Sequence, residues 1–377
     1  MSVMPDFRLE TYFSKWEFKA RYHMTASDAQ SLTVRELLDL GSPADAAGFD
    51  AQWLGYTETF GAPALLAEIA ATYDEMQSAN ILCFAGAEEG IYIANHVLLS
   101  AGDHAIVVTP NYQAAETVPL AICEVTGVPL EPETGWSLDI DRVAAAIRPN
   151  TRLMSINFPH NPTGRIIDRN TLDDLIALCR KHGIWLFSDE VYRLLGPYPD
   201  RQLPQVADLY ERGLSLNVMS KAYGLPGLRI GWIATTDREV LLRMERMKHY
   251  LSICNSAPSE YLAGVALRNR DTILARNNRL VRDNLALLDD FFTDFPDLFE
   301  WSRPDGGCVA YPRYIGPGDV ENFAAELVAE AGVLLLPSSI YHSDLGSTPI
   351  DRFRIGFGRA NLAEGLTAFR NHLGRNR

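Results

Sequence analysis

The chain has 377 residues, of which 47% are hydrophobic and 22% are charged, and its formal net charge is -14 at pH 7. This composition is typical of a soluble globular protein, and the length predicts one large domain with a smaller one. The negative charge argues against nucleic acid or an anionic membrane as the main partner, because both carry the same sign of charge.

Cysteine and histidine usage predicts a cytoplasmic protein without a metal centre. The five cysteines form no C-x-x-C pair, which is typical of reduced thiols in the cytosol. The eight histidines show no H-E-x-x-H or similar ligand spacing, so no metal site is expected. The first residues lack the apolar run of a signal peptide, and no stretch approaches the ~20 apolar residues of a membrane span.

Between residues 80 and 235, short apolar runs alternate with helical stretches, a pattern typical of βαβ units. The predicted strands cover residues 81–84, 105–109, 153–158, 184–187, 214–218 and 229–235. Helices are predicted over 88–99 and over 170–182, the second capped by Asn170 or Thr171 and ended by Gly183. Because the strands are continuous apolar runs, we expect a mostly parallel sheet covered by helices on both faces.

After residue 238 the pattern changes to longer helices, predicted at 277–292 and 321–331, with short strands near 308–311 and 352–357. This predicts an α/β protein with a second, smaller α+β domain built from the N- and C-terminal segments. The expected division is an N-terminal arm and part of the small domain at 1–44, a large domain at 45–276, and a small C-terminal domain at 277–377.

Residues able to do chemistry follow the ends of the predicted strands. They are Gly86, Tyr112, Asn161, Asp189 and Lys221. Ligands of open α/β sheets bind at the carboxyl ends of the strands. We therefore expect these five residues to meet at one edge of the sheet.

Lys221 has the most informative surroundings. It comes just after a buried strand, where desolvation lowers the pKa of an amine and lets it attack a carbonyl to form a Schiff base. Arg229 is a permanent cation suited to a phosphate, and Asp189 is a carboxylate suited to a pyridinium nitrogen. Each feature alone also fits a surface lysine, a turn or a helix cap. Together they are the protein groups that pyridoxal 5′-phosphate requires.

Four segments resemble the class I/II aminotransferases, the fold type I family of enzymes that depend on pyridoxal phosphate. In chain order they are NFPHNPTG at 157–164, DEVY at 189–192, SKAYGLPGLRIG at 220–231 and FRI at 353–355. The resemblance runs from about Tyr56 to the C-terminus. It implies that the domain at 45–276 binds this cofactor.

The resemblance implies a role for each matching residue around the cofactor ring. Lys221 would form the Schiff base with the cofactor and later move the proton between Cα and C4′. Asp189 would pair with the pyridinium nitrogen and keep it protonated. Tyr192 and Asn161 would hydrogen-bond the 3′ oxygen of the ring, and Tyr112 would stack on the ring.

At the phosphate end, the resemblance implies binding by Ser220, by Arg229 and by the backbone amides of Gly86, Ala87 and Glu88. Those amides open a helix and carry the positive end of its dipole. The acidic side chain of Glu88 is expected to point away from the phosphate anion.

Two further matches concern the partner subunit and the substrate. Tyr56 matches a tyrosine that reaches the phosphate of the neighbouring subunit, which implies a homodimer with shared active sites. Arg354 matches the arginine that binds the substrate α-carboxylate through two parallel hydrogen bonds. The alternatives are an ordinary core or surface tyrosine and an ordinary arginine at a strand end.

The chain departs from the family pattern at Ser27, where glycine is usual in the segment that lines the substrate. Ser27 and Asp28 are similar to a subgroup that includes capreomycidine synthase, whose members handle arginine-derived substrates by elimination and cyclisation. Ser27, Asn161 and Arg354 are therefore predicted to contact the substrate. Asp28 either meets a cationic or amide side chain of the substrate or caps a helix that begins near Leu32.

The resemblance implies an aminotransferase that moves an amino group from an amino acid to a 2-oxo acid by a ping-pong mechanism. The alternative is a lyase or cyclase with the same cofactor that acts at Cβ or Cγ of an amino acid, since the motifs concern the cofactor and not the side-chain pocket. A binding protein without turnover is disfavoured because no basic helix-turn-helix pattern precedes Tyr56. A Rossmann dehydrogenase is disfavoured because residues 84–90 lack the G-x-G-x-x-G spacing.

Overall fold

The computed structural model describes residues 4–198 and 201–375, along which strands and helices alternate. The strands are β1 (Tyr22–His23), β2 (Ile81–Phe84), β3 (His104–Thr109), β4 (Glu124–Pro129), β5 (Thr151–Asn157), β6 (Trp185–Asp189), β7 (Gly213–Val218), β8 (Gly231–Ala234), β9 (Phe299–Glu300), β10 (Val309–Ala310), β11 (Arg313–Tyr314), β12 (Val333–Leu334), β13 (Leu336–Pro337) and β14 (Phe353–Gly356). The helices are α1 (Arg8–Trp16), α2 (Val34–Leu40), α3 (Pro43–Asp50), α4 (Pro63–Ala70), α5 (Ala87–Leu98), α6 (Ala114–Leu120), α7 (Ile140–Ala146), α8 (Arg169–His182), α9 (Val206–Leu209), α10 (Arg238–Lys248), α11 (Ala257–Arg268), α12 (Arg270–Thr293), α13 (Val320–Ala331) and α14 (Leu362–Arg375).

The central sheet has seven strands in the order β2-β8-β7-β6-β5-β3-β4. Strand β8 pairs antiparallel with both of its neighbours, whereas the other pairings are parallel. The five strands predicted to precede the chemical residues, β2, β3, β5, β6 and β7, therefore all end at the same edge of the sheet. The predicted mostly parallel sheet and the α/β fold class are confirmed.

Both faces of the sheet are covered. Phe187 of β6 packs in one apolar cluster with Ile91 of α5. Its neighbour Leu186 packs in a second cluster with Leu175 and Ile176 of α8. Because successive side chains of a strand point to opposite faces, continuous apolar runs are what a sheet between two helical layers requires.

Three local predictions differ from the structure. Strand β4 was not expected, because it lies at the sheet edge, is largely half-buried and contains glycine and proline, so its apolar pattern is weak. Helix α8 is capped by the Asp168 side chain, which accepts from the Thr171 backbone N–H, and not by Asn170 or Thr171. Helix α12 begins at Arg270, whereas the sequence predicted a start at residue 277.

The N-terminal segment joins the C-terminal part of the chain. Strand β1 pairs parallel with β12, and a separate three-stranded sheet has the order β10-β14-β13. Phe291 of α12, Phe299 of β9 and Phe369 of α14 pack together beside Phe353 of β14. No helix among the described residues combines the length and the apolarity needed to cross a lipid bilayer.

Candidate active site

A cleft of about 360 Å³ lies where the parallel strands of the central sheet end. The predicted site residues that line it are Ser27, Ala87, Glu88, Tyr112, Asn161, Asp189, Tyr192, Ser220, Lys221, Arg229 and Arg354. Gly86 directly precedes this lining at the start of α5. Tyr56 is 85% exposed and is not among the described residues that line the cleft. The structure therefore brings together every predicted site residue except Tyr56.

Lys221 extends into the cleft just after β7 ends at Val218. Its Nζ atom lies 2.8 Å from the Ser27 hydroxyl oxygen. Burial lowers the pKa of the Lys221 amine, and the Asp28 carboxylate opposes this shift. A lowered pKa increases the fraction of neutral amine, which is the form that acts as a nucleophile or a general base.

Asp189 is the last residue of β6 and lies beneath the cleft. Its Oδ1 accepts a hydrogen bond of 3.2 Å from the Val191 backbone N–H, and the Asn157 side chain donates to the Asp189 carbonyl oxygen at 3.0 Å. Burial raises the pKa of this carboxyl to about 6. A cationic ring nitrogen beside it would favour the carboxylate form, because an opposite charge stabilises the ionised acid.

One end of the cleft has the features of a phosphate site. Helix α5 begins at Ala87, directly after Gly86, whose φ of 96° is in the region that favours glycine. A Cβ atom at Gly86 would overlap the Arg229 guanidinium, so glycine lets this cation pack against the helix start. Ser220 is buried at the same cleft. A helix N-terminus, an arginine and a hydroxyl are complementary to a phosphate.

The expectation that the Glu88 side chain points away from the phosphate stays a prediction, since the contact of this side chain is with Tyr112. Glu88 lines the cleft, and its carboxyl hydrogen-bonds the Tyr112 side chain. Burial raises the pKa of Glu88 to about 7, so a large fraction of this carboxyl is protonated near neutral pH. Tyr112 also packs against the Phe7 ring with centroids 5.2 Å apart. Protonation removes much of the repulsion from a phosphate on which the prediction rested.

Arg354 of β14 is fully buried beside the cleft. Its Nη2 donates to the Thr25 carbonyl oxygen at 2.7 Å, and its Nη1 donates to Asn161 Oδ1 at 3.1 Å. The Arg354 Nε atom and the Tyr192 hydroxyl are buried and have no hydrogen bond of normal geometry to the described residues. Buried polar atoms of this kind call for an anionic or hydrogen-bonding partner.

The mouth of the cleft contains charged groups that the sequence did not reveal. Glu10 and Glu17, on and just after α1, line it, as does Arg359, which follows β14. Asp28 pairs with Arg359, with Nη2 and Oδ2 2.6 Å apart. The spacing of the two glutamates, seven residues apart on a helical pattern, was the available signal.

The prediction that Asp28 caps a helix is wrong. Helix α2 begins at Val34 and is capped by Thr33, whose side chain accepts from the Glu36 backbone N–H at 3.2 Å. Glu36 in turn accepts a hydrogen bond of 2.7 Å from the Thr33 backbone N–H. This reciprocal pair satisfies the helix start locally, and the Asp28 carboxylate is left for the cleft and Arg359.

The residues present fit pyridoxal 5′-phosphate. A lysine amine with a lowered pKa faces the cleft. A buried carboxyl, a helix N-terminus with an arginine, and a tyrosine hydroxyl without a hydrogen bond of normal geometry to the described residues surround the same space. These groups match the aldehyde, the pyridine nitrogen, the phosphate and the ring hydroxyl of the cofactor, one for one.

The chain is similar to known proteins in sequence and in fold. Residues 28–369 match the family model described as aminotransferase class I and II. Capreomycidine synthase of Streptomyces vinaceus is 30% identical over 99% of this chain and 95% of that protein. A PLP-dependent aminotransferase structure from Streptococcus suis 89-1591 superposes with a TM-score of 0.92 at 30% identity, covering 99% of both chains. The PLP-dependent cyclase OrfR superposes with a TM-score of 0.90 at 25% identity, covering 100% of this chain and 99% of that one.

The family match covers most of the chain and includes the cleft-lining lysine, carboxyl and arginine. The relatives cover nearly the whole chain and have the same fold. The protein therefore belongs to the class I and II aminotransferase family, with pyridoxal 5′-phosphate as its cofactor.

Proposed function

We propose that this protein is an aminotransferase that moves an amino group from an amino acid to a 2-oxo acid in a ping-pong reaction. One observation carries the proposal. The Lys221 amine, the Asp189 carboxyl and the Arg354 guanidinium lie around one cleft, at the end of parallel strands and at β14. This set suits an amino acid held by its carboxylate while its Cα–H bond is broken.

The cofactor, when bound, supplies an aldehyde that takes up the amino group and a ring that accepts electrons from Cα. Lys221 would hold the cofactor until substrate arrives, and its freed Nζ would then be the base that moves the proton of Cα. Burial supports this role because it lowers the pKa of the amine and so increases the neutral fraction. Asp189 would pair with the ring nitrogen and keep it protonated.

Other cleft residues bind and orient. Ser220, Arg229 and the backbone amides of Gly86, Ala87 and Glu88 hold the phosphate. Tyr112 would stack on the ring, and Tyr192 and Asn161 would hydrogen-bond its 3′ oxygen. Arg354 takes the substrate α-carboxylate, with Asn161 and Ser27 beside it.

We further propose that the active form is a cytoplasmic homodimer with shared active sites. Trp53, Leu54 and Tyr56 are 80%, 81% and 85% exposed. Three large side chains in one short segment are costly to leave in water, so a second copy covering them is favourable. Tyr56 then reaches the phosphate in the partner subunit. The five cysteines are free, as expected in the cytosol.

The amino donor that best suits the cleft mouth carries a cationic side chain. Glu10, Glu17 and Asp28 line the mouth. The pKa of Glu17 is raised by burial and by the Glu10 and Asp28 carboxylates. Arg359 pairs with Asp28 and offsets one of these three carboxylates, so the mouth keeps a net negative charge, and this favours an arginine-like substrate.

A lyase or cyclase acting at Cβ or Cγ is the second candidate. It is supported by the similarity to capreomycidine synthase over 99% of the chain and by the fold shared with the cyclase OrfR. Such a reaction uses the same groups up to loss of the Cα proton and then expels a group from the side chain. It needs no 2-oxo acid.

The two candidates separate in one experiment. The purified protein, loaded with pyridoxal phosphate, is titrated with each of the twenty amino acids while the absorbance of the cofactor is recorded. An aminotransferase converts the cofactor to its amine form and turns over only when a 2-oxo acid is added. Turnover without a 2-oxo acid, with release of ammonia or another leaving group, supports the lyase or cyclase. Lys221→Ala should abolish both signals, whereas Lys181→Ala, at an exposed lysine of α8, should leave them unchanged.

A further inference from the structure

The segment of residues 24–30 lies between the turn that follows Lys221 and strand β14. On one side, the Ala29 backbone N–H donates to the Lys221 carbonyl oxygen at 3.2 Å. On the other side, the Gly356 backbone N–H donates to the Met24 carbonyl oxygen at 2.9 Å. The segment is therefore bonded along both edges, which fixes the side chain at its centre, Ser27.

Glycines on both neighbours make this close approach possible. A Cβ atom at Gly356 would overlap the Ala26 carbonyl oxygen, and one at Gly358 would overlap the Asp28 carbonyl oxygen. A Cβ atom at Gly224, two residues beyond Ala222 in the turn, would lie 2.9 Å from the Gln30 carbonyl oxygen. Backbone contacts this tight leave little freedom to the segment, whatever side chain stands at position 27.

As a consequence, the Ser27 hydroxyl is fixed next to the Lys221 amine. Ser27 Oγ is 2.8 Å from Lys221 Nζ, within normal hydrogen-bond distance. A serine hydroxyl both donates and accepts, so it can accept from an ammonium and donate to a neutral amine. The Ser27 hydroxyl can therefore hydrogen-bond the Lys221 amine in either protonation state. Alanine or glycine at position 27 offers no such contact.

We propose that Ser27 is a positioning residue that holds the freed Lys221 amine in place for proton transfer at Cα. The inference rests on the function proposed above, in which Lys221 is the general base. A freed lysine side chain has several rotatable bonds, and a single hydrogen bond to a fixed partner greatly reduces the number of conformations that it samples. Ser27 therefore acts on the rate of proton transfer and only weakly on substrate affinity.

The variants Ser27→Ala, Ser27→Gly and Ser27→Thr test this role, with Ser31→Ala as a matched control in the same stretch of chain. For alanine and glycine we expect kcat to fall about 10- to 100-fold while KM changes by less than about 3-fold. Threonine keeps the hydroxyl and should restore most of kcat. Exchange of the Cα proton with deuterated solvent should slow in parallel with kcat.

A second measurement needs no cofactor. The pKa of the Lys221 amine in the cofactor-free protein is read from the pH dependence of labelling by an amine reagent, followed by peptide mass mapping. The bond from an ammonium to the hydroxyl is charge-assisted and stronger than the bond from the hydroxyl to a neutral amine, so Ser27→Ala should lower this pKa and Ser27→Thr should leave it near the wild-type value. Thermal unfolding of each variant shows whether the segment stays folded.

The outcomes are distinct. A rise in KM with unchanged kcat overturns the proposal and leaves Ser27 as a substrate-binding residue. An unchanged labelling profile in Ser27→Ala also overturns it, because the hydroxyl then does not hold the amine. If wild-type protein binds the cofactor but no amino acid alters its spectrum, the proposed function fails, while the labelling experiment still decides whether Ser27 holds Lys221.

Discussion

Arg354 donates a hydrogen bond of 3.1 Å to Asn161, across 193 residues of sequence. The acceptor is Asn161 Oδ1, which also accepts from the Tyr341 hydroxyl at 3.2 Å. With Oδ1 taken by two donors, the Asn161 Nδ2 group is turned away from them and is available to a ligand oxygen. The residue proposed to bind the substrate carboxylate therefore also orients a residue proposed to bind the cofactor ring.

Substitution of Arg354 by lysine should weaken substrate binding more than it slows the chemical step. Lysine keeps the charge but loses the planar fork that binds a carboxylate through two hydrogen bonds. We expect KM to rise by about 10- to 100-fold, with a smaller loss of kcat. Steady-state kinetics measure both. Arg352→Lys is the control, because Arg352 is a buried arginine of the same region that donates to the Tyr311 carbonyl oxygen. Equal effects of the two variants would contradict the role.

Asp189→Asn should stabilise the cofactor-free protein but weaken its binding of pyridoxal phosphate. Burial raises the pKa of Asp189 to about 6 in the folded protein, above its ordinary value of 3.8. Between these values the unfolded chain has lost the proton and the folded protein keeps it, so the cofactor-free protein loses stability as pH rises through that window. Asparagine does not titrate, so it should remove this loss and raise the free energy of unfolding of the cofactor-free protein by on the order of 1–3 kcal/mol at pH 7.

The same substitution should weaken cofactor binding, because a neutral amide cannot hold the protonated ring nitrogen. Urea unfolding as a function of pH measures the first effect, and titration with pyridoxal phosphate measures the second. Asp174→Asn, at an exposed position of α8, is the control for both. If Asp189→Asn left the affinity for pyridoxal phosphate unchanged, the proposed pairing of Asp189 with the ring nitrogen would be contradicted.

Asp28→Ala separates recognition of a cationic side chain from a structural role. Asp28 pairs with Arg359 at the cleft mouth, so alanine removes one carboxylate and leaves a guanidinium. We expect kcat/KM to fall at least about 10-fold more for arginine-like substrates than for aliphatic amino acids, since the mouth changes from acidic towards basic. An equal loss on both substrate classes would remove the recognition role.

Complementation between two inactive variants tests the shared active site. Tyr56→Ala removes the residue proposed to act in the partner subunit, and Lys221→Ala removes the base. In a mixed dimer, one of the two sites has an intact Lys221 and an intact Tyr56 from opposite subunits. Mixing equal amounts under exchange should therefore restore about one quarter of wild-type activity, because half of the dimers are mixed. Activity that stays at the average of the two parents would place Tyr56 outside the shared site.

Gly356→Ala should destabilise the protein through the backbone of the neighbouring segment. The new Cβ atom would overlap the Ala26 carbonyl oxygen and push residues 24–30 out of place. We expect a loss of roughly 1–3 kcal/mol in the free energy of unfolding, typical of overpacking. Gly374→Ala is the matched control, because no atom lies within 4 Å of its added Cβ in helix α14. The control should gain up to about 1 kcal/mol from helix propensity.

Local sequence patterns were enough to predict the edge of the central sheet at which the cofactor is proposed to bind. Strands β2, β3, β5, β6 and β7 are mostly buried and rich in apolar residues, and each one ends at, or within a few residues of, a group that lines or adjoins the cleft. Burial of a parallel sheet on both faces demands such segments, so the strand ends could be located without a structure. Strand β4 was not predicted, because this edge strand is largely half-buried and its apolar pattern is correspondingly weak.

Residue type and spacing along the chain determined the fold class and indicated the cofactor, and the resemblance of short motifs implied the residues proposed to contact it, because these depend on short segments whose chemistry is local. Tertiary structure alone decided that Ser27 lies on the Lys221 amine, that Glu88 faces the cleft and that Asp28 pairs with Arg359. These relationships arise where the N-terminal segment packs against β14 and the Lys221 turn. Such contacts join residues that are distant in sequence, and their geometry is set by packing that no local pattern encodes.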